Sequence, residues 1–244
     1  MLNQSNTFPW IAGFAVLAAL VNGIGVYSIV RYRSWAEKSK TYLMCFAAGV
    51  LISTPLMLAL PQALNKNSYA GFAAAAGFLF MVFSNNFIRH HTKKDSLAFS
   101  IVMAEGIGIH SLVDGVIYVV TFSVSILTGF LSAIGLVVHE FAEGVITYLI
   151  FMDAGVGKRK AIWYALFISS FTTPIGACIA YPFMGSLSQD GLGLMLGFMA
   201  GVMIYISASH LLPEATEEGK GHSILAFLGG VGLALFIVLS KVIQ

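Results

Sequence analysis

The stretch IVMAEGIGIHSLVDGVIYVV, residues Ile101–Val120, is almost wholly apolar and is as long as a membrane-crossing helix. About 20 predominantly apolar residues are needed for a helix to span the hydrocarbon core of a bilayer. A second stretch of this kind, FLSAIGLVVHEFAEGVITYLI, follows at Phe130–Ile150. The ionisable side chains that the two stretches carry are Glu105, His110, Asp114, His139, Glu140 and Glu143. Together the stretches predict two transmembrane helices with ionisable side chains inside the membrane.

The whole chain has the composition of a membrane protein. Of its 244 residues, 58% are hydrophobic and only 10% are charged, and the net charge is +2. Soluble domains are about 25% charged, so this chain has too few charges to cover a water-facing surface. The composition excludes a disordered chain, a disulfide scaffold and a nucleic-acid-binding protein as descriptions of the whole molecule.

Apolar runs of about 20 residues recur along the chain and predict an all-α, polytopic membrane protein with eight transmembrane helices. The runs lie near residues 10–30, 42–62, 69–88, 98–121, 127–151, 161–183, 191–212 and 222–241. Because the runs are continuous rather than alternating, they favour helices over a β-barrel. We expect residues 1–244 to form a single transmembrane domain.

The basic residues indicate the direction in which the helices cross. With eight spans, 11 of the 13 Lys and Arg residues fall on one side of the membrane, and only Lys66 and Lys241 fall on the other. Cytoplasmic loops of membrane proteins carry the excess of Lys and Arg. The pattern predicts a multi-pass protein of the cell membrane, plasma or inner, with both termini extracytoplasmic.

Spans two and seven resemble one another. FAAGVLISTPLMLALPQA at Phe46–Ala63 and FMAGVMIYISASHLLPEA at Phe198–Ala215 share eight of 18 residues without gaps. Because the two spans would cross in opposite directions, we expect spans 1–3 and 6–8 to form inverted repeats around central spans 4 and 5. Inverted repeats are common in transporters, where a site near the midplane is exposed to each side in turn.

Ionisable side chains within a bilayer cost about 2.5–3.5 kcal/mol each on insertion scales and mark functional sites. The eight spans contain seven such groups, four acids and three histidines, with no Lys or Arg among them. A buried set of this kind either carries protons or holds a cation. His110 with Asp114, and His139 with Glu143, stand four residues apart and so share one face of their helix.

The connection between spans four and five is short, so these helices are expected to be adjacent and antiparallel. Their polar faces would then converge, as in the metal sites of helical bundles. The spacing therefore predicts a divalent metal site formed by His110, Asp114, His139, Glu140 and Glu143. Mixed nitrogen and oxygen ligands suit zinc, Fe(II), manganese or cadmium better than Cu(I) or calcium. The plain alternative for either pair is a structural hydrogen bond between helices.

Two further ionisable residues are secondary candidates. Glu105 lies in the first two turns of span four, where it either lines the mouth of a pathway or lies near the headgroups. His210 lies three residues before Pro213 and is either a secondary ligand or a structural polar residue. The hydroxyl side chains within residues 169–173 precede Pro174 and are interpreted as partners of the backbone carbonyls that this proline frees.

Two other functions use the same residues. The sequence His139-Glu140-Phe141-Ala142-Glu143 invites comparison with the HExxH motif of metalloproteases, in which two histidines bind zinc and the glutamate is the general base. Here the second histidine is a glutamate, which weakens the case for an intramembrane metal-dependent hydrolase or protease. A haem-binding membrane protein would use His110 and His139 as axial ligands. The neighbouring acids are poorly suited to an apolar macrocycle.

At this level of detail the chain resembles the ZIP (Zrt-, Irt-like) family of metal transporters. The segments that carry the resemblance are HSLVDG (His110–Gly115), HEFAEG (His139–Gly144), SSFTTPIGA (Ser169–Ala177), the LLPEA ending of span seven and the FAAGVL opening of span two. The resemblance extends from span one to span eight. It implies eight helices, both termini outside and uptake of a divalent metal into the cytoplasm.

The resemblance also implies roles for individual residues. The residues that match the family's principal transport site are His110, Asp114, His139 and Glu143. Those that match a neighbouring second site are Ser111, Glu140 and Glu143, which makes Ser111 a secondary candidate.

The chain departs from the family pattern at four positions. An asparagine is frequent where Ser111 stands, and a glutamate where Thr173 stands, so the second site is depleted here. Span two has Leu58 in place of a frequent histidine and Gln62 in place of an acid. A binuclear centre is therefore not the expectation for this chain.

The combined prediction is a transporter and not an enzyme. It moves a divalent cation into the cytoplasm, with zinc first and iron, manganese, cadmium or cobalt as further candidates. No prosthetic group is expected, because the bound metal is the cargo. The expected partners are the metal ion and the lipid bilayer, with a second copy of the chain as a candidate partner in a homodimer and no nucleic acid.

Overall fold

The protein is helical throughout the part that the computed structural model describes, which comprises residues 4–92, 94–124, 126–184, 186, 188–213 and 223–242. In chain order the α-helices are α1 (Gln4–Arg31), α2 (Arg33–Thr54), α3 (Leu60–Lys66), α4 (Ala70–His91), α5 (Asp95–Val124), α6 (Ile126–Asp153), α7 (Lys158–Ala165), α8 (Thr172–Ala180), α9 (Gln189–Ile206) and α10 (Ser223–Val242). No strand occurs in these residues, so the prediction of an all-α protein is confirmed.

Six helical segments within the described residues are long enough and apolar enough to cross a bilayer. They are Thr7–Arg31, Thr41–Lys66, Ala70–His91, Asp95–Ser123, Lys158–Phe183 and Gln189–Ser209. The remaining two predicted spans coincide with α6 and α10, and the apolar part of α10 at Ser223–Phe236 is shorter than the other six. Each predicted span thus falls on a helix, while the crossing of all eight stays a prediction.

The distribution of side chains is that of a protein surrounded by lipid. Large aromatic side chains point outward along α4, where Phe72 is 76% exposed and Phe83 is 68% exposed. The acidic side chains in the middle of α5 and α6, which are Asp114, Glu140 and Glu143, are buried. Water-soluble proteins show the opposite arrangement of charge, whereas lipid favours apolar side chains on the outside. The chain is therefore an integral, multi-pass membrane protein.

Helix boundaries are the main difference from the sequence prediction. α2 begins at Arg33, in the basic segment between the first two predicted spans. Likewise α5 begins at Asp95 and α7 at Lys158, before the apolar runs start. Lys, Arg and Glu are good helix formers, which explains the early starts of α2 and α7. The early start of α5 is favoured by Asp95, because an acidic side chain in the first turn complements the helix dipole. Apolar runs therefore locate the crossing segments and not the helix ends.

Three of the long helical segments contain a π-helical turn, which is a rare element that is frequent at functional sites. These turns are Pro55–Ala59, Leu166–Ser170 and Ser207–Leu211. Proline cannot donate a backbone hydrogen bond and clashes with the carbonyl four residues before it. The second turn ends at Ser170, and Pro174 stands four residues after it. The other two turns each end two residues before a proline, Pro61 or Pro213.

The chain divides into two compact units, which are described one at a time. The first comprises Met1–Arg31 and Ile107–Leu187, and the second comprises Tyr32–Gly106 and Ser188–Gln244. In the first unit α1 packs along α6 so closely that a Cβ atom at Gly144 would collide with the backbone oxygen of Asn22. A second contact of this kind joins the same two helices, where Gly25 of α1 faces the backbone of Phe141 of α6. Small residues permit such close packing of helix backbones in membranes.

Three other helix pairs use reciprocal glycine contacts of the same kind. In the first unit, α5 and α8 meet where Gly115 faces the Thr173 backbone and Gly176 faces the Leu112 backbone. In the second unit, α2 and α10 meet at Gly49 with Phe227 and at Gly230 with Phe46, while α4 and α9 meet at Gly201 with Ala74 and at Gly77 with Phe198. Each pair therefore has one glycine on each helix facing the other helix's backbone.

Substitution at one of these contacts should destabilise the protein. We expect Gly201→Ala to lower the free energy of unfolding by about 1–3 kcal/mol, because the added methyl group overpacks against the Ala74 backbone. The measurement is the midpoint of thermal unfolding of the purified protein in detergent. Gly232→Ala is the matched control, since a Cβ there meets nothing within 4 Å. An equal loss of stability in both variants would contradict the packing role.

Candidate metal site

The candidate metal site lies in the first unit, between α5 and α6. α5 ends at Val124 and α6 begins at Ile126, so the two helices follow one another almost without a connection. Each helix contributes a histidine and an acid four residues apart, and these face the same point. The residues brought together are His110, Asp114, His139 and Glu143, of which all but His139 are buried. His139 is half-buried.

The ligand atoms of these residues form a compact group. The two histidine Nε2 atoms are 3.2 Å apart. Oδ2 of Asp114 is 3.0 Å from the Nε2 of His139 and 3.5 Å from that of His110. Oε2 of Glu143 is 3.8 Å and 4.0 Å from the same two nitrogens.

These separations suit a tetrahedral divalent cation. Zinc binds His nitrogen and carboxylate oxygen at about 2.0–2.2 Å, which places neighbouring ligand atoms of a tetrahedron about 3.4 Å apart. Five of the six edges of the tetrahedron are given above, and they range from 3.0 to 4.0 Å around that value. The ligand atoms of His110, Asp114 and His139 lie within 4.8 Å of one another, whereas Glu143 groups with His139 and Glu140. Three of the residues are therefore placed to hold such an ion together, and Glu143 would complete the tetrahedron by a movement of its side chain toward them.

Ser111 orients one of these ligands. Its hydroxyl lies within hydrogen-bonding distance of Oε1 of Glu143, as well as of the backbone oxygen of Ile107. This contact leaves Oε2 of Glu143 facing the histidines. Ser111, which entered as a secondary candidate, therefore contacts a candidate ligand, and its hydroxyl supports the orientation of that carboxylate.

Glu140 is held differently from the other two acids. Its Oε2 accepts a hydrogen bond of 2.9 Å from Nδ2 of Asn22, and its Oε1 accepts one of 3.1 Å from the hydroxyl of Thr173. Glu140 also forms a second group with His139 and Glu143, whose ligand atoms all lie within 4.8 Å of one another. Glu140 therefore adjoins the site, but donors from α1 and α8 contact both of its oxygens.

Asn22 is the residue of this region that sequence reasoning missed. It lies in α1 and is fully buried, and the hydroxyls of Ser169 and Ser170 donate hydrogen bonds of 2.9 Å and 2.8 Å to its Oδ1. The interpretation of the hydroxyls within 169–173 as partners of backbone carbonyls holds in part. Thr172 donates to Ile168, and the Ser169 hydroxyl also lies 2.8 Å from the backbone oxygen of Ala165, but neither is the carbonyl four residues before Pro174. A lone amide within the apolar run of span one was the available signal.

Of the two secondary ionisable candidates, Glu105 is the one whose side chain the structure describes. Glu105 belongs to the second unit, where it accepts a hydrogen bond of 2.5 Å from the hydroxyl of Ser84. The groups of His and acidic side chains close enough to share an ion, within the described part of the chain, do not include Glu105. His210 lies in the π-helical turn Ser207–Leu211, and its side chain falls outside the described residues.

The geometry disfavours both alternative functions. A haem between His110 and His139 needs its axial nitrogens on opposite faces of the macrocycle, and 3.2 Å leaves no room for it. A metalloprotease needs its glutamate free to activate water at the metal. Here Asn22 and Thr173 donate hydrogen bonds to both oxygens of Glu140.

Comparison with known proteins agrees with this arrangement. The sequence model of the family described as ZIP Zinc transporter matches residues 95–238, which is more than half of the chain. The chain belongs to the ZIP zinc transporter family. The matched region includes α5 and α6, and with them all of the candidate ligands.

Individual relatives are similar over different lengths. Zinc transporter ZupT of Clostridium perfringens is 32% identical over 147 residues, covering 45% of this chain and 51% of that protein. Zinc transporter foi of Drosophila melanogaster is 30% identical over 149 residues, covering 59% of this chain and 20% of that protein. The chain thus spans about half or less of these two relatives. Zinc transporter ZupT of Akkermansia muciniphila is 25% identical over 261 residues, covering 91% of this chain and 94% of that protein.

Binding by the site can be measured directly. We expect His139→Ala to weaken Co²⁺ and Zn²⁺ binding to the purified protein by more than tenfold, since even loss of a residue that only supports a ligand costs about 10–100-fold. The measurement is a Co²⁺ absorption titration with competition by Zn²⁺. His91→Ala is the control, because His91 is an exposed histidine at the end of α4. Equal affinity of the two variants would contradict the assignment.

Proposed function

We propose that this protein transports a divalent metal cation, zinc first, across the membrane into the cytoplasm. The observation that carries the proposal is that the two histidine Nε2 atoms lie 3.2 Å apart and that Asp114 and Glu143 each place one oxygen 3.0–4.0 Å from both of them. The printed names of the relatives, which are zinc transporters, support the choice of substrate. The protein acts as a carrier and not as an enzyme, and the metal is its cargo.

The site suits transport because its charge balances that of the cargo. Asp114 and Glu143 each carry one negative charge when ionised, and neutral histidine supplies the other ligands. A divalent ion bound to these four residues gives a site of zero net charge, which is the least costly state in a bilayer. Residues 95–157 contain neither Lys nor Arg, so no basic side chain of this segment competes with the ion.

The membrane potential supplies a driving force for uptake. An interior-negative potential favours inward movement of a divalent ion by about 4.6 kcal/mol per 100 mV, twice the value for a single charge. The ion enters from outside, exchanges water for the ligands of α5 and α6, and leaves to the cytoplasm after the repeats rearrange. A second driving ion is not required by this scheme.

Inverted repeats of spans 1–3 and 6–8 around spans 4 and 5 are part of the proposal. The π-helical turn Ser207–Leu211 begins 152 residues after Pro55–Ala59, which is the interval between the similar sequences of spans two and seven. Two glycine contacts are separated by the same interval of 152 residues. Gly49 of α2 faces the backbone of α10, and Gly201 of α9 faces the backbone of α4. Eight crossing helices with both termini outside, in the cell membrane, complete the proposed architecture.

The choice of metal follows from ligand chemistry. Imidazole and carboxylate together suit zinc, and they also accept Fe(II), manganese, cadmium and cobalt. Competitive uptake across these ions would rank them. The proposal needs the ion and the bilayer, and it works equally for a monomer and for a homodimer.

Transport should depend strongly on the candidate metal ligands and less on Ser111, which contacts one of them. In proteoliposomes we expect zinc uptake to collapse in His139→Ala and Glu143→Ala, because each loses a ligand. Ser111→Ala should reduce uptake less, because it removes only a contact that orients Glu143. The measurement is initial uptake under an inside-negative potential, with His91→Ala as the control. Normal uptake by both ligand variants would overturn the site, and uptake that never saturates with metal would indicate a channel.

Metal loading should release protons. Histidine and carboxylate must be deprotonated to bind a metal, so affinity falls as the pH is lowered and loading displaces protons from the site. We expect Zn²⁺ added to weakly buffered protein at mildly acidic pH to acidify the solution, as measured with a pH-sensitive dye. Glu143→Ala should release fewer protons. Zinc binding that is equally tight at acidic and neutral pH would contradict the ligand set.

A further inference from the structure

Asn22 connects three helices at the side of the candidate metal site. Its side chain is fully buried in α1, where Nδ2 donates to Glu140 of α6 and Oδ1 accepts from Ser169 and Ser170. The two serines belong to the π-helical turn Leu166–Ser170, and all of these partners are buried. All hydrogen-bonding atoms of this group lie within the first unit.

The orientation of the Asn22 amide follows from its neighbours. A carboxylate accepts hydrogen bonds and cannot donate them, so the amide must present nitrogen to Glu140. The opposite orientation would place two oxygens 2.9 Å apart, carboxylate against carbonyl, inside an apolar protein. The serine hydroxyls stabilise the observed orientation because they can donate to the oxygen on the other side.

The Asn22 amide competes with a second cation for Glu140, because it occupies one acceptor direction of the carboxylate. Oε2 of Glu140 is 2.9 Å from Nδ2 of Asn22, and the hydrogen between them points at the oxygen. Thr173 covers Oε1 in the same way at 3.1 Å. Neither donor gains a negative charge at ordinary pH, so neither becomes a strong ligand for a metal. The carboxylate of Glu140 is stabilised here by neutral donors and needs no ion.

Helix packing holds Asn22 in this position. Glycine at position 144 leaves just enough room, since a Cβ atom there would collide with the backbone oxygen of Asn22 and lie 2.7 Å from its Oδ1. The reciprocal contact of Gly25 with Phe141 fixes α1 against α6 one turn further along. Asn22 therefore has little freedom to withdraw from Glu140.

We propose that Asn22 is a positioning residue that holds Glu140 by hydrogen bonding and limits the site to one divalent ion. In this assignment Glu140 lines the site without binding the transported metal. The proposal rests on the proposed function, because it concerns the number of ions in the same site. It accounts for the presence of a third buried carboxylate beside a site that two carboxylates already balance.

The test is the number of ions bound per chain of the purified, full-length protein. The protein is equilibrated with Zn²⁺ and analysed by metal quantification, and the experiment is repeated with Co²⁺ to follow the absorption bands. We expect the unaltered protein to bind one ion. Asn22→Asp retains the shape and the serine contacts, but it exchanges the amide donor for a carboxylate facing Glu140, so it should bind two ions. Asn67→Asp, the same change at a half-buried position in the second unit, should bind one.

A second variant keeps the proposal testable if Asn22→Asp does not fold. Glu140→Gln should still bind one Co²⁺ with the absorption bands of the unaltered protein, whereas Glu143→Gln should lose them or shift them. Loss of the ion in Glu140→Gln would overturn the proposal, and so would two ions in the unaltered protein or one ion in folded Asn22→Asp. No bound ion in the unaltered protein would instead overturn the proposed function.

Discussion

The constraint on which this structure depends is the burial of acids within apolar helices that contain no basic side chain. Asp114, Glu140 and Glu143 all lie in the interior, and residues 95–157 include neither Lys nor Arg. A buried carboxylate is tolerated only with a hydrogen-bond donor, a proton or a cation. The protein uses more than one of these solutions side by side. Histidines face Asp114 and Glu143, while an amide and a hydroxyl donate to Glu140.

Close helix packing brings the neutral donors, an amide and a hydroxyl, to Glu140. Asn22 reaches Glu140 because Gly144 and Gly25 allow the backbones of α1 and α6 to approach one another closely. Gly115 and Gly176 do the same for α5 and α8, which brings Thr173 to the other oxygen of Glu140. The glycines therefore affect the site by allowing Asn22 and Thr173 to come within hydrogen-bonding distance of Glu140. A bulkier residue at position 144 would separate the amide from its carboxylate as well as destabilise the helix pair.

The part of the site that sequence predicts is the part governed by helical periodicity. His110 with Asp114 and His139 with Glu143 share faces because residues four apart do so in any helix, and a short connection makes their helices adjacent. Asn22 has no such signal, since it stands 118 residues before Glu140 and is brought there by tertiary packing. The helix ends were misplaced for a related reason, because hydropathy locates the lipid boundary while α2 begins in a charged segment.

Hydrogen bonding explains why a third acid beside the proposed site does not imply a second ion. Asp114, Glu140 and Glu143 are the buried carboxylates of α5 and α6 in the first unit. With all three ionised, one divalent cation would leave a net charge of −1 and two would leave +1, so the charge alone favours neither number. Neutral donors from Asn22 and Thr173 satisfy the remaining carboxylate without adding charge. Because those donors do not leave with the cargo, Glu140 keeps its partners whether the neighbouring site is loaded or empty.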